Sequence, residues 1–224
     1  MDDLTQPGKF GADIHNNYVF SGSNTPPYEG GQPPSHVYRL TPEFYYGVTN
    51  SFELGLYVLS AAGSQSAAHL DGAKLRAKYI APHDEKQGDF WGLNLEIGKT
   101  NRRVSETPWN GQLKGIYGRR SGRWTFAVNP NIDWSLSSSI HSSGAFEIDT
   151  KVAYRLDAGY ELGFESYNEL GPVRRPGDLN EQSQVLYAVI DTDVAGFDLN
   201  AGIGRGLTDA SDRWVFKFIV GVHY

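Results

Sequence analysis

The side chains with most capacity for chemistry in this 224-residue chain are charges spaced two apart. Lys74, Arg76 and Lys78 stand in a line within "AKLRAKYIA", and that spacing puts all three on one face of an extended strand. Arg39 and Glu43 share one parity of an earlier segment, and Glu53 falls in the segment between. Glu96, Lys114, Asp133, Glu147, Asp149, Lys151, Arg155, Glu161, Glu165, Asp198, Arg213 and Lys217 continue the pattern downstream. A wall of both signs can set up a transverse field that orients polar solutes in a narrow channel. The same charges can instead pair into a network that fills an interior and holds it closed. No basic excess of the kind that favours anions is present.

A second chemistry is nucleophilic. His141-Ser142-Ser143-Gly144 is similar to the His-x-Ser-Asn of outer-membrane phospholipase and lipid A deacylase barrels. That resemblance implies His141 as base, Ser143 as nucleophile and Glu147 as the group orienting the imidazole. Gly144 replaces the polar Asn, and the stretch is Ser-rich, so a solvated loop is the plainer reading. No metal site or cofactor is expected. His15, His69 and His223 are scattered without HxxxH or HxH spacing, and the chain has no cysteine. "DTDVAGFD" (191–198) lacks the ligand spacing of a calcium loop. "GIGRG" (202–206) lies in a strand, where its glycines would relieve crowding at a bend.

The elements that must position these residues are strands. Period-two alternation dominates, and no helical stripe occurs. "VYRLTPEFYYGV" sets Tyr38, Leu40, Pro42, Phe44, Tyr46 and Val48 against Arg39, Thr41, Glu43, Tyr45 and Gly47. Twelve such segments fall near 10–22, 37–48, 51–63, 72–82, 90–101, 111–119, 123–136, 145–157, 160–168, 183–193, 196–205 and 213–224. Short connections at 49–50, 83–89, 120–122, 158–159 and 194–195 alternate with longer ones at 23–36, 64–71, 102–110, 137–144, 169–182 and 206–212. That layout is an up-and-down antiparallel transmembrane β-barrel with both termini at the short-turn end.

A soluble barrel or sandwich would turn the apolar parity inward. Soluble strands average roughly 5–6 residues, and most segments here are about twice that, the length that spans a bilayer when tilted. Eight strands make about the widest barrel whose interior side chains can fill, so twelve with apolar groups inside would leave a void. Phe10, Trp91, Trp124, Trp134, Trp214 and Tyr224 lie near strand ends, as interfacial girdles require. The chain therefore reads as all-β, one barrel over residues 1–224, with residues 1–9 as an N-terminal periplasmic segment. No run of about eighteen apolar residues offers a membrane helix. The start "MDDLTQPG" is not a leader, so either the protein is cytosolic or a leader has been removed. With 20 basic against 26 acidic residues, a nucleic-acid partner is not expected.

Gly202, Gly204 and Gly206, then Thr208-Asp209-Ala210-Ser211-Asp212 and a final alternating strand, make an ending over 202–224 that resembles a Gram-negative outer-membrane family. That family is described as transporter-like or linked to the MetA pathway of phenol degradation. The resemblance implies an outer-membrane location and passive passage of small solutes, hydrophobic or aromatic ones among them. It implies as partners outer-membrane lipids, lipopolysaccharide and the solute. The terminal strand ending on Tyr224 would address the chain to the barrel-assembly machinery. Trimeric porins are larger per chain, so a monomer is expected.

Overall fold

A computed structural model describes residues 3–63, 66–137 and 144–223. Twelve antiparallel strands close into one barrel, each hydrogen-bonded to its neighbours in chain order. They are β1 (Phe10–Ser21), β2 (Val37–Thr49), β3 (Phe52–Gly63), β4 (Ser66–Ile80), β5 (Gly88–Thr100) and β6 (Trp109–Ser121), followed by β7 (Trp124–Ser135), β8 (Ala145–Arg155), β9 (Glu161–Pro172), β10 (Ser183–Val194), β11 (Phe197–Gly206) and β12 (Trp214–His223). Pairing of β1 with β12, from Gly11 opposite His223 to Ser21 opposite Trp214, leaves no open edge.

Two elements differ from the sequence pattern. β4 begins at Ser66, so residues expected in a long connection at 64–71 are largely strand. The small and polar residues of "SAAHLDG" hide the alternation, and Gly72, with φ of +145°, bends the strand in a way few other residues allow. β9 runs on to Pro172, past the expected end.

The apolar parity faces outward throughout. Phe44, Leu54, Leu75, Trp91, Leu93, Phe126, Phe164 and Ile203 are among its exposed side chains. Aromatic pairs gather towards the short-turn end, with Phe10 on Tyr46, Tyr79 near Trp91 and Trp124 against Tyr154. Pro42 has no N–H to give β3, and the ladder skips from Leu40–Ser60 to Glu43–Tyr57. The Ser60 hydroxyl donates to the Leu40 carbonyl at 2.7 Å beside this gap.

Inside, the barrel has two apolar pads. Val19, Val185, Tyr187, Val189 and Val215 pack on one side, and Ile80, Phe90, Ile116 and Ala127 form the other near the short turns. Residues 3–9 fold into that short-turn mouth. Leu4 packs on the second pad, and the Thr5 amide donates to the Glu53 carboxylate at 2.7 Å. Lys78 Nζ donates to the Asp3 carbonyl at 2.8 Å. Gly8 and Lys9 exchange backbone hydrogen bonds with Gly47. A Cβ at Gly47 would collide with the Thr5 and Gln6 carbonyls, so only glycine admits the segment there.

Candidate functional site

The lumen wall is built from the polar parity of the strands, and register decides which charges meet. On β2, β3 and β4, Arg76 Nε lies 2.9 Å from the Glu43 carboxylate, and its terminal nitrogen pairs with Glu53. The guanidinium also faces the rings of Tyr45 and Tyr57, at 5.7 and 5.9 Å. Lys78 is buried beside it. Across the barrel, Lys217 of β12 pairs with Glu165 of β9, which Lys151 of β8 approaches at 3.3 Å. Lys151 also reaches Asp191 at 2.7 Å. Lys217 sits against Tyr167 and Tyr187. Gly202 and Gly204 make room for these groups, since a Cβ there would strike Val189 or the Tyr187 ring. Their role is close packing inside the lumen, not relief at a bend.

Longer pairs line the wall between these clusters. Lys74 meets Glu96 at 3.6 Å, and Lys114 meets Asp149 at 3.4 Å. Towards the long loops the wall turns acidic. Glu147 stands directly opposite Glu169 on β9 and within hydrogen-bonding reach of Asp133. Among the described residues no lysine or arginine forms an ion pair with Glu147 or Glu169. Arg39 projects from the same half of β2. Three residues read as wall positions lie nearer the rims. Arg155, 3.6 Å from Glu161, and Asp198 are exposed at the short-turn end. Arg213 is exposed in the connection before β12.

The lumen is only partly filled. A cavity of about 760 Å³ occupies the short-turn half, lined by Asp3, Thr5, Glu53, Arg76, Asp191 and Asp198 among others. A second, of about 320 Å³, lies between the charged clusters and is lined by Tyr57, Glu96, Lys114, Glu165 and Lys217. Arg76, Lys78, Lys151 and Asp191 border both.

Alternation in "GADIHNN", "SYNEL" and "LYAVID" could have added Asp13, His15, Tyr167, Glu169 and Asp191 to the wall. Asp71 was hidden because it precedes the bend at Gly72. It is buried with His69 at 3.3 Å and Arg103 at 3.7 Å. The loop at 208–212 is a strut: Ser211 exchanges hydrogen bonds with the Gln184 backbone, and Thr208 donates to the Gln182 carbonyl. Burial raises the pKa of Asp212, against the pull of Arg39. His141 and Ser143 lie outside the described residues.

The fold is that of bacterial outer-membrane barrels. Over its whole length the chain superimposes on 98% of the COG4313 outer membrane channel from Pseudomonas putida F1, with a TM-score of 0.69 and 14% identity. It covers 98% of the KdgM porin, solved with disordered oligogalacturonate, using 96% of its own length at a TM-score of 0.58 and 12% identity. LpxR from Salmonella typhimurium is matched over its full length by 96% of this chain, at a TM-score of 0.52 and 8% identity. No protein-family model matches the sequence, and no curated protein matches it.

Proposed function

We propose that the protein is a bacterial outer-membrane channel through which small solutes pass passively along a narrow lumen of mixed charge. The carrying observation is the pair of adjoining cavities inside a closed barrel, walled by ion-paired side chains and capped by residues 3–9. Such a lumen presents opposite charges across a short distance, which orients dipolar solutes and excludes bulky ones. The short turns face the periplasm and the long loops face outward, as in barrels of this class.

Resemblance of the ending over 202–224 to the family linked with phenol degradation supports small hydrophobic or aromatic solutes. Apolar pads at Val189–Val215 and Ile80–Phe90 supply surface for them inside an otherwise polar wall. The chain acts as a monomer, with lipids and lipopolysaccharide around it and the assembly machinery engaging its last strand.

Planar-bilayer recording of the refolded protein tests the reading. Small discrete conductance steps are expected, with a reversal potential on the cation-preferring side because Glu147 and Glu169 form no ion pair with a lysine or arginine among the described residues. Persistent silence would favour a closed structural barrel, which the dense ion pairing also suits. The enzymatic alternative assigns His141 and Ser143 to lipid hydrolysis at the rim. Fatty-acid release from phospholipid or lipid A, abolished by Ser143→Ala, would establish it in place of the channel.

A further inference from the structure

Asp13, His15 and Glu43 converge on the lumen side of β1 and β2. Glu43 stands directly opposite Asp13 in the ladder, and like charges in that position repel. His15, two residues beyond Asp13 on β1, lies diagonal to Glu43, its Nε2 at 3.3 Å from Glu43 Oε2. Arg76 offsets only part of this charge. Its Nε is 2.9 Å from Glu43 Oε1 but off the donor axis, so neither atom has a hydrogen bond. Its terminal nitrogen is engaged by Glu53. Glu43 is 2% exposed, so its second oxygen looks toward the imidazole and not toward bulk water.

One ligand atom from each of these three residues lies within 4.8 Å of the other two. An imidazole nitrogen with two carboxylates is a donor set for Zn²⁺ or a similar borderline divalent cation. Asp13 also lines the large cavity, from which water can complete the coordination.

We propose that Asp13, His15 and Glu43 bind one such ion, which fastens β1 to β2 beside the seam where β1 meets β12. The site is independent of solute passage and stands whether or not the barrel conducts. No linear spacing betrays it, because β1 and β2 supply the ligands across the ladder.

Calorimetric titration of ZnCl₂ into tag-free, chelator-washed, refolded protein tests the site, with visible absorption of Co²⁺ as a second reading. One saturable ion per chain is expected. His15→Ala should weaken binding at least about tenfold, since loss of even an outer-shell partner costs that much. Asp13→Asn should weaken it too, while His69→Ala and His83→Ala should bind like the unmodified chain. Heat-modifiable migration on gels verifies that each variant is folded. Absence of saturable uptake, or equal affinity in folded His15→Ala, would overturn the proposal.

Discussion

Arg76 joins Glu43 on β2 to Glu53 on β3 from its own place on β4, and Tyr45 and Tyr57 enclose it. Removing one partner of a buried pair leaves the other charged and desolvated. Arg76→Leu should therefore lower stability by about 3 kcal/mol, the low end for such losses because a wet cavity borders the site. Lys74→Met, which removes a longer and more exposed pair with Glu96, should cost less than about 1 kcal/mol. Urea unfolding from lipid vesicles measures both, and equal costs would show that the Arg76 cluster is not energetically special. Asp212 behaves differently. Its folded pKa is raised by burial, so its stabilising contribution is full below the unfolded carboxylate value and is lost as pH rises through the folded one. Asp212→Asn should remove that pH step and leave the barrel equally or more stable at neutral pH, read from unfolding midpoints across the acid range. Which charges share one parity is legible in the sequence, because side-chain alternation in a strand is strict. The partners are not, since a pair such as Asp13 and Glu43 exists only once register is set.

At the scale of elements, the strands were legible wherever alternation was clean and obscured where it was not. β4 shows the limit: Ala67 and Ala68 carry no facing signal, so the alternation becomes visible only from Gly72 onward. The N-terminal segment shows another. "DLTQPGK" has no period, and its docking site, assembled from Gly47, Glu53, Lys78 and the Phe90 pad, exists only inside the closed barrel. It lies outside the twelve strands of the barrel, and that makes it separable. Deleting residues 1–8 should leave heat-modifiable migration intact and raise single-channel conductance, because the short-turn mouth widens. Gly47→Val should act in the same direction without shortening the chain, as its side chain occupies the path of Thr5 and Gln6. Unchanged conductance in both variants would place the narrowest point elsewhere, at the Lys151–Glu165–Lys217 cluster.

For the whole molecule, the governing fact is width. Twelve strands enclose more volume than wall side chains of ordinary size can fill, and this chain answers with long charged groups, tyrosines laid over glycines, and its own N-terminus. Cavities remain between them. The outer surface carries the opposite composition, with aliphatic and aromatic side chains exposed around the barrel. In water such a surface would drive aggregation; against hydrocarbon it is the matched solvent. Adjacent positions on one central strand separate the two environments. Leu95 on β5 faces outward, while Asn94 is 6% exposed and donates to Glu96 at 3.0 Å inside. Leu95→Arg should cost about 2–4 kcal/mol in urea unfolding from vesicles, the range for arginine near a bilayer midplane. Asn94→Asp should cost clearly less, because Lys78 on β4 and Lys114 on β6 stand directly opposite it inside and favour an anion there. The membrane orientation of the barrel predicts that order of costs, and a soluble barrel with the same strands predicts near-neutrality at Leu95 and the larger loss at Asn94.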